Sequence, residues 1–445
     1  MPTADVVIVG AGLAGLSAAV RLAEAGARVE VVARGHAATH WTAGGFDIAA
    51  PPDAGTSADG VSALATRQRH PYALLQSDLG PALAWLRSVL TEEGLAYVGA
   101  LEDPLAALPT AIGGTRRAAI VPAQQAAGLA PWRPGERLVV CGVAGFKDFW
   151  AESIALSLRR HDVWAASGAA ENQPAGVDSI TVELPGLTGR QNLSSLEMAR
   201  HFDDPEWRQV AFAIIARAVG RRATPAGVRI AVPAVLGLAD HAEALRDGQR
   251  LLPAPFFEVP LVPPSIPCMR LYDALRAALR RRGGRIIVGE AVTRIEASGD
   301  RVTAVAAPAA VRERVIRTGG LVIATGGIAG GGLVGLAGGT IEEPLLGLPV
   351  EAPPPDEWLA DDPFDPAGHP LEAAGIRTDA ELRPADAAGH SLFGNVAVVG
   401  AMLAGQRYLT ERSGDGVAIA SGFRAAAVLG AASPAPRVAV GGRRS

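Results

Sequence analysis

The sequence predicts an α/β protein built on a Rossmann-like dinucleotide-binding unit, with an inserted α+β domain on the substrate side. Three observations predict it. Asp5 to Val9 is a short run rich in β-branched residues, of the kind that lies buried in a parallel sheet. Gly10-Ala11-Gly12-Leu13-Ala14-Gly15 follows directly and opens a helical pattern from Leu16 to Ala25, closed by Gly26. Arg28 to Ala33 then reads as a second strand, so strand, glycine turn, helix and strand fit the length of one βαβ unit.

Each glycine of the turn has a physical task. The first makes the tight turn, the second lets a pyrophosphate approach the backbone, and the third lets helix and strand pack closely. The helix N-terminus adds open N–H groups and partial positive charge. A lone GxGxxG is a weak signal in a chain with 53 glycines. Its register with two strands and a helix points to a nucleotide cofactor held by Gly10, Gly12, Leu13, Ala14 and Gly15. At the end of the second strand, Ala33 and Arg34 take the position that faces the nucleoside half.

Order is less regular through the middle. Gly80 to Glu93 reads as a helix, and Leu138 to Val143 as a buried strand that turns at Gly145 into a helix from about Asp148 to His161. That turn lacks the three-glycine spacing and is read as scaffold. Leu271 to Arg282 is a helix closed by Gly283-Gly284, and Arg285 to Val288 is a strand. Ala291 to Ile295 and Arg301 to Ala306 form a hairpin across Ser298-Gly299-Asp300. Leu321 to Ala324 runs into Thr325-Gly326-Gly327, Leu392 to Val399 runs into Gly400-Ala401, and Gly414-Asp415-Gly416 opens a last helix. The expected organisation is cofactor-binding segments at 1–50, 270–335 and 386–445. An inserted, substrate-side region spans 51–269, and a substrate-side return spans 336–385.

That order of helix, double glycine, strand, hairpin and LVIATGG resembles the two-dinucleotide-fold flavoproteins. The resemblance implies FAD, with FMN as the alternative, contacted also by Thr325, Gly326, Gly327, Gly400 and Ala401. It implies that the last helix aims its N-terminus at the flavin pyrimidine, with Gly416 and Val417 as backbone donors. It also passes the loop of Thr42, Gly44, Gly45 and Asp47 beside the isoalloxazine. Two departures bear on the cofactor. The carboxylate that usually holds the adenosine ribose is replaced by Ala33-Arg34, and the Gly-Asp of the late turn is Gly400-Ala401. A glycine loop built for a pyrophosphate keeps FAD ahead of FMN.

Composition narrows the function classes. The chain of 445 residues has a net charge of −4 and 19% charged residues, with Lys147 its only lysine. No basic stripe for nucleic acid stands out. Two cysteines, Cys141 and Cys268, fall short of the roughly four thiolates an iron–sulfur cluster takes, and they make no disulfide framework. No Cys/His spacing suggests a metal site. The chain enters a strand at once, and no signal peptide is expected. The most membrane-like stretch, Gly319 to Gly339, is thick with glycine and reads as strand and cofactor loop.

At the level of a family, the chain resembles the B subunit of anaerobic glycerol-3-phosphate dehydrogenase. VVIVGAGLAGLSAAVRLAEAG, ARGHAATHWTAGGFDIAA, HPYALL, LVVCGVAGFKDFWAESIALSLR and PPSIPCMRLYDALRAALRRRGG carry the resemblance. LVIATGGIAGGGLV, EPLLGLPV, GIRTDAELRP and NVAVVGAMLAG continue it in the family's order. It implies oxidation of glycerol 3-phosphate to dihydroxyacetone phosphate beside a catalytic flavoprotein, the A subunit. An iron–sulfur, membrane-associating subunit would pass electrons to quinone. The implied place is the cytoplasm, peripheral at the inner face of the membrane through a partner. Two other readings stay open: a self-sufficient, fumarate-reductase-like flavin enzyme for a small anionic substrate, and a non-catalytic flavin-binding scaffold.

Catalytic candidates are fewer. Arg270 and Arg383 present guanidinium groups suited to a small anionic substrate, as does Arg377. His40 and His70 are of the right type for proton transfer near neutral pH, though no neighbouring carboxylate in the sequence pairs with either. The Pro-rich stretch Leu251 to Pro267, with Phe256 and Phe257, is the best sequence candidate for a partner surface.

Overall fold

The computed structural model describes residues 3–222, 226–309 and 313–431. Residues 432–445 of the expected last segment therefore lie outside the described residues. The chain divides into two compact units. A glycine-loop unit comprises Met1–Ala38, Leu64–Leu86 and Leu275–Ser445, and an inserted unit comprises Thr39–Ala63 and Arg87–Ala274.

In chain order, the elements that position the site begin with β1 (Thr3–Val9), α1 (Leu13–Glu24), β2 (Val29–Ala33) and α2 (Tyr72–Glu92). The inserted unit adds β3 (Ala106–Pro109), β4 (Thr115–Ala118), β5 (Arg137–Val143), α3 (Ala151–Leu158) and β6 (Val177–Val182). It continues with α4 (Ser195–Asp203), α5 (Pro205–Gly220), β7 (Val228–Pro233), α6 (His241–Leu251) and β8 (Phe256–Val259). Then come α7 (Ile266–Arg281), β9 (Arg285–Val288), β10 (Arg294–Ser298), β11 (Arg301–Ala307) and β12 (Arg314–Ile323). The described chain closes with β13 (Val396–Val398) and α8 (Gly414–Ala431).

The glycine-loop unit is built on a seven-stranded sheet of order β9-β2-β1-β12-β11-β10, with β13 also paired to β12. β1 is parallel to β2 and β12, β9 to β2, and β13 to β12. β10 and β11 form the expected hairpin and add to β12 antiparallel. β12 starts seven residues before the apolar run at Leu321. Its first half pairs with Ala304 to Ala307, and its second half pairs with Val396 to Val398. The first half is only partly buried and carries Arg314 and Arg317, so no apolar run marks it. α2 likewise begins ahead of Gly80-Pro81, where the sequence suggested a start. An interior proline costs a helix hydrogen bond. Leu75, Leu79, Ala82, Leu83 and Leu86 nevertheless form one buried stripe through it.

The inserted unit mixes antiparallel pairs, such as β3–β4, with a larger sheet of order β8-β7-β5-β6 that is parallel throughout. The helices α3, α4, α5 and α6 connect its strands, as parallel pairing requires. The helix expected over 148–161 is the shorter α3, because Arg160 adopts an extended conformation before a separate turn, His161–Ala165. Phe256 and Phe257 are not a partner surface. Both lie in β8 and are buried in this unit's core, where their prolines flank an edge strand.

His241 opens α6 beside Gln124, whose amide donates to His241 Nδ1 at 3.0 Å. Burial, and then the charge of Arg270, push the imidazole down from an ordinary 6.5 to about 3. The folded state thus keeps His241 neutral while the unfolded chain takes up a proton. Stability from this group is complete above about pH 6.5 and is lost as the pH falls toward 3. His241→Gln should flatten the fall of Tm between pH 6.5 and 4 relative to wild type. Parallel slopes for the two proteins would contradict this.

Candidate functional site

Three backbone turns meet at the C-terminal edge of the large sheet in the glycine-loop unit. Gly10 has φ +112°, and a Cβ there would stand 2.2 Å from the Ala324 carbonyl oxygen. Only glycine meets both demands. A Cβ on Gly15 would stand 2.2 Å from the Gly10 carbonyl oxygen, so the turn and α1 touch through bare backbone. Gly327, at φ +56°, leaves 2.6 Å between such a Cβ and the Ala401 carbonyl oxygen. Gly400, at φ +67°, faces the Ala14 methyl group. The Gly10–Gly15, Thr325–Gly327 and Gly400–Ala401 turns are thereby brought together, as the sequence reading grouped them. Side chains lock the assembly: Gly327 N–H reaches Met402 Sδ, Gly400 N–H donates to Ser421 Oγ, and Gln406 Nε2 donates to the Gly400 carbonyl.

The helices define a direction along this edge. A Cβ on Gly422 would meet the Ala14 carbonyl oxygen at 2.5 Å, and Gly430 lies against Leu22, so α8 runs alongside α1 in the same sense. α1 begins at Leu13 and α8 at Gly414, and the contact between them joins Gly422 to Ala14, Ser17 and Ala18. α8 has eight residues ahead of Gly422 and α1 only one to five ahead of Ala14 to Ala18, so α8 starts further out along the shared direction. The N-termini of α1 and α8 thus point the same way, both favourable to negative charge.

Val417 does not serve as a free donor at the second of these ends. Its N–H is taken by the Ser413 carbonyl at 3.0 Å, the first intrahelical bond of α8. The N–H groups ahead of it, including that of Gly416, are the ones without an intrahelical partner.

Behind that end lies a buried polar cluster. His70 Nδ1 accepts from Tyr72 N–H at 3.1 Å, which leaves the Nε2–H tautomer to donate to Glu411 Oε2 at 3.2 Å. Glu411 also accepts from Arg67 at 2.8 Å, from Arg407 N–H at 2.9 Å and from Ser413 Oγ at 3.3 Å. Burial pushes the Glu411 carboxyl up, but the bonds from His70, the Arg407 backbone and the Arg67 charge overcome it and hold it below its usual value. The sequence offered only the HPY tripeptide here, because His70 and Glu411 are 341 residues apart.

The inserted unit fixes the other candidates. Gly44 has φ +89°, its carbonyl accepts from Tyr97 Oη at 2.7 Å, and a Cβ there would press on Pro267. Thr42 Oγ1 lies 3.0 Å from Cys268 Sγ, and Asp47 pairs with Arg116. Gly45 would meet Val121 if it carried a side chain. His40 is buried with its ring 4.7 Å from Tyr272. Arg270 requires a correction. Its side chain is fully buried, forms a two-pronged pair with Glu258 at 2.8 and 2.9 Å, and donates to the Gly237 carbonyl. It is a fold-holding cation and not an anion clamp. Arg383 is bound by two carboxylates, Asp379 and Glu381, which leave a local excess of negative charge unsuited to an anion. Arg377 is paired with Glu351.

The FAD binding domain family matches residues 5–416. The B subunit of anaerobic glycerol-3-phosphate dehydrogenase from Yersinia pestis is 31% identical over 435 residues, 94% of this chain and 96% of that protein. The chain belongs to this B-subunit family. A relative from Halobacterium salinarum, named as a probable B subunit of the same enzyme, is 31% identical over 95% of this chain and 96% of its own length. Among solved structures, 3-ketosteroid delta1-dehydrogenase from Sterolibacterium denitrificans aligns with 97% of this chain and 100% of its own. That alignment has 12% identity and a TM-score of 0.45.

FAD is the cofactor of the family, and the glycine-lined edge fits it. Gly12 stands at the N-cap of α1 with extended backbone and no side-chain cap, leaving that helix end open to a phosphate. Thr325 Oγ1 and Gln406 Oε1 are buried and find no partner among the described residues, which suits polar groups waiting for a ligand. β2 ends in buried Ala33 with exposed Arg34 after it, so no carboxylate stands there for the ribose.

Two outcomes follow. Gly12→Val should abolish FAD retention while far-UV circular dichroism stays native; wild-type affinity would place the cofactor elsewhere. Arg270→Leu should destabilise the protein by about 3–5 kcal/mol, because it strands the buried Glu258 charge, and Arg270→Leu/Glu258→Leu should recover much of that loss. A double variant no more stable than the single one would contradict the pairing role.

Proposed function

We propose that this chain is the FAD-carrying B subunit of a glycerol-3-phosphate dehydrogenase complex. FAD would lie from Gly10, Gly12, Leu13, Ala14 and Gly15, past Thr325, Gly326, Gly327, Gly400 and Ala401, toward the N-terminus of α8. The observation that carries this reading is the meeting of three bare-backbone turns beside two parallel helices, of which α8 starts further out than α1. Ala33 and Arg34 would border the adenosine half, with Arg34 in place of the missing acid. Within the inserted unit, the loop of Thr42, Gly44 and Gly45 is clamped by Cys268 and Pro267, and His40 beside Tyr272 is the candidate for moving a proton. When bound, FAD supplies a two-electron acceptor for oxidation of a secondary alcohol. The chain's part is to hold the pyrophosphate on α1 and to offer Gly416 N–H to negative charge on the ring.

Further steps belong to partners: a catalytic flavoprotein (the A subunit), and an iron–sulfur subunit that leads electrons to quinone. Cys141 and Cys268 are buried, and burial pushes the Cys141 thiol up to about 12. No cluster of three or more His, Cys, Asp or Glu able to hold a metal occurs among the described residues. No helix among them is long and apolar enough to cross a membrane. A cytoplasmic place, at the membrane's inner face through the iron–sulfur partner, suits both facts. The substrate is a small anion, glycerol 3-phosphate, and its recognition does not rest on Arg270 or Arg383.

Purified chain reconstituted with FAD should show flavin absorbance and little turnover of glycerol 3-phosphate with an artificial acceptor. Co-expressed partner subunits should restore turnover. Quinone reduction by the isolated chain at rates typical of enzymes, about 1–1000 per second, would contradict the subunit reading.

A further inference from the structure

The turn that leads into α8 is held by an unusual arrangement of its own side chains. Ser413 precedes the first residue of α8, the position from which a serine hydroxyl ordinarily accepts from N–H groups of the first turn. Here Ser413 Oγ is buried and donates instead to Glu411 Oε2. Glu411 ends the single helical turn Tyr408–Glu411, and Arg412 after it is in the left-handed region at φ +48°. A non-glycine residue holds that conformation only where its surroundings enforce it. Glu411, the residue before Arg412, is fixed by several bonds. It is pinned by Arg67, by His70 Nε2–H and by Arg407 N–H, and the Arg69 carbonyl lies where a Gly405 Cβ would be, at 2.2 Å. Segment 67–70 thus braces segment 405–413 from behind.

We infer that Glu411, braced by Arg67 and His70, is a positioning residue that draws the Ser413 hydroxyl away from α8 so that the Gly416 N–H is offered to the anionic pyrimidine edge of the flavin. The inference rests on the FAD placement proposed above. Glu411 does not touch the cofactor; it acts through Ser413. Its carboxylate is well ionised at neutral pH, so Ser413 has a constant acceptor. Without it, the hydroxyl is free to cap the helix and to compete with the flavin for the same donors. Gly414 and Gly416 carry no side chain, and the Asp415 carboxylate between them lies within electrostatic reach of the buried Tyr72.

Sulfite tests this without turnover, because it adds reversibly at flavin N5 and leaves an anion near N1 and C2=O that the helix end must stabilise. In FAD-loaded protein, Glu411→Ala should raise the sulfite Kd about tenfold, the scale of one weakened charge-assisted hydrogen bond. Glu411→Ala/Ser413→Ala should return the Kd to within about threefold of wild type, since no hydroxyl remains to compete. A merely structural loss at Glu411 would not be repaired by removing a second group. If Glu411→Ala does not hold FAD, Ser413→Asn carries the test, because its longer side chain caps the helix with the Arg67–His70–Glu411 brace intact. It should weaken sulfite binding similarly. An unchanged Kd in Glu411→Ala or in this fallback, or a double variant as weak as Glu411→Ala, overturns the role of Glu411. Wild-type protein that takes up no FAD overturns the cofactor placement itself, a distinguishable failure.

Discussion

The contact between Gly10 and the Ala324 carbonyl is the constraint on which the rest of the glycine-loop unit depends. With only 2.2 Å available to a Cβ, the two strand ends can lie side by side only as bare backbone. That closeness lets β1 and β12 end level, which brings the Gly10–Gly15 and Thr325–Gly327 turns into one edge. Gly327 against Ala401 and Gly400 against Ala14 extend the same solution to a third turn. Gly422 against the Ala14 carbonyl then seats α8 on α1. A single methyl group at any of these positions would separate elements whose alignment makes the ligand edge.

Electrostatics follow from that packing. Parallel α1 and α8 point their positive ends the same way, with α8 starting further out. α1 has Gly12 at its N-cap with no side-chain cap, and ahead of α8 the Ser413 hydroxyl donates to Glu411. Ahead of α8, Arg67, His70 and Glu411 are bonded to one another, and Asp415 is the acidic residue of the helix's first turn.

Much of the glycine-loop unit was legible because it obeys local rules. The strand at Asp5, the three-glycine turn and the α8 start each carry a short-range signature, and the Gly10–Gly15, Thr325–Gly327 and Gly400–Ala401 turns meet at one sheet edge. What was hidden depended on distance in sequence. Nothing near His70 announces Glu411, and nothing near Arg270 announces that Glu258 neutralises it. The long α2 passed through Gly80-Pro81 because burial of Leu75, Leu79 and Leu83 outweighs a local breaker. The prolines around Phe256 and Phe257 read as an irregular surface, yet they flank an edge strand with both rings inside. In the inserted unit, parallel strands separated by helices show little local signature beyond the run at Leu138, so its sheet emerges only from pairing.

The most direct test is a crystal structure of the protein grown with FAD. The pyrophosphate should lie at the N-terminus of α1 beside Gly12, with Thr325 and Gln406 newly partnered and the flavin pyrimidine at the first turn of α8. FAD bound away from the Gly10–Gly15 turn, or with its ring away from the start of α8, would contradict the placement.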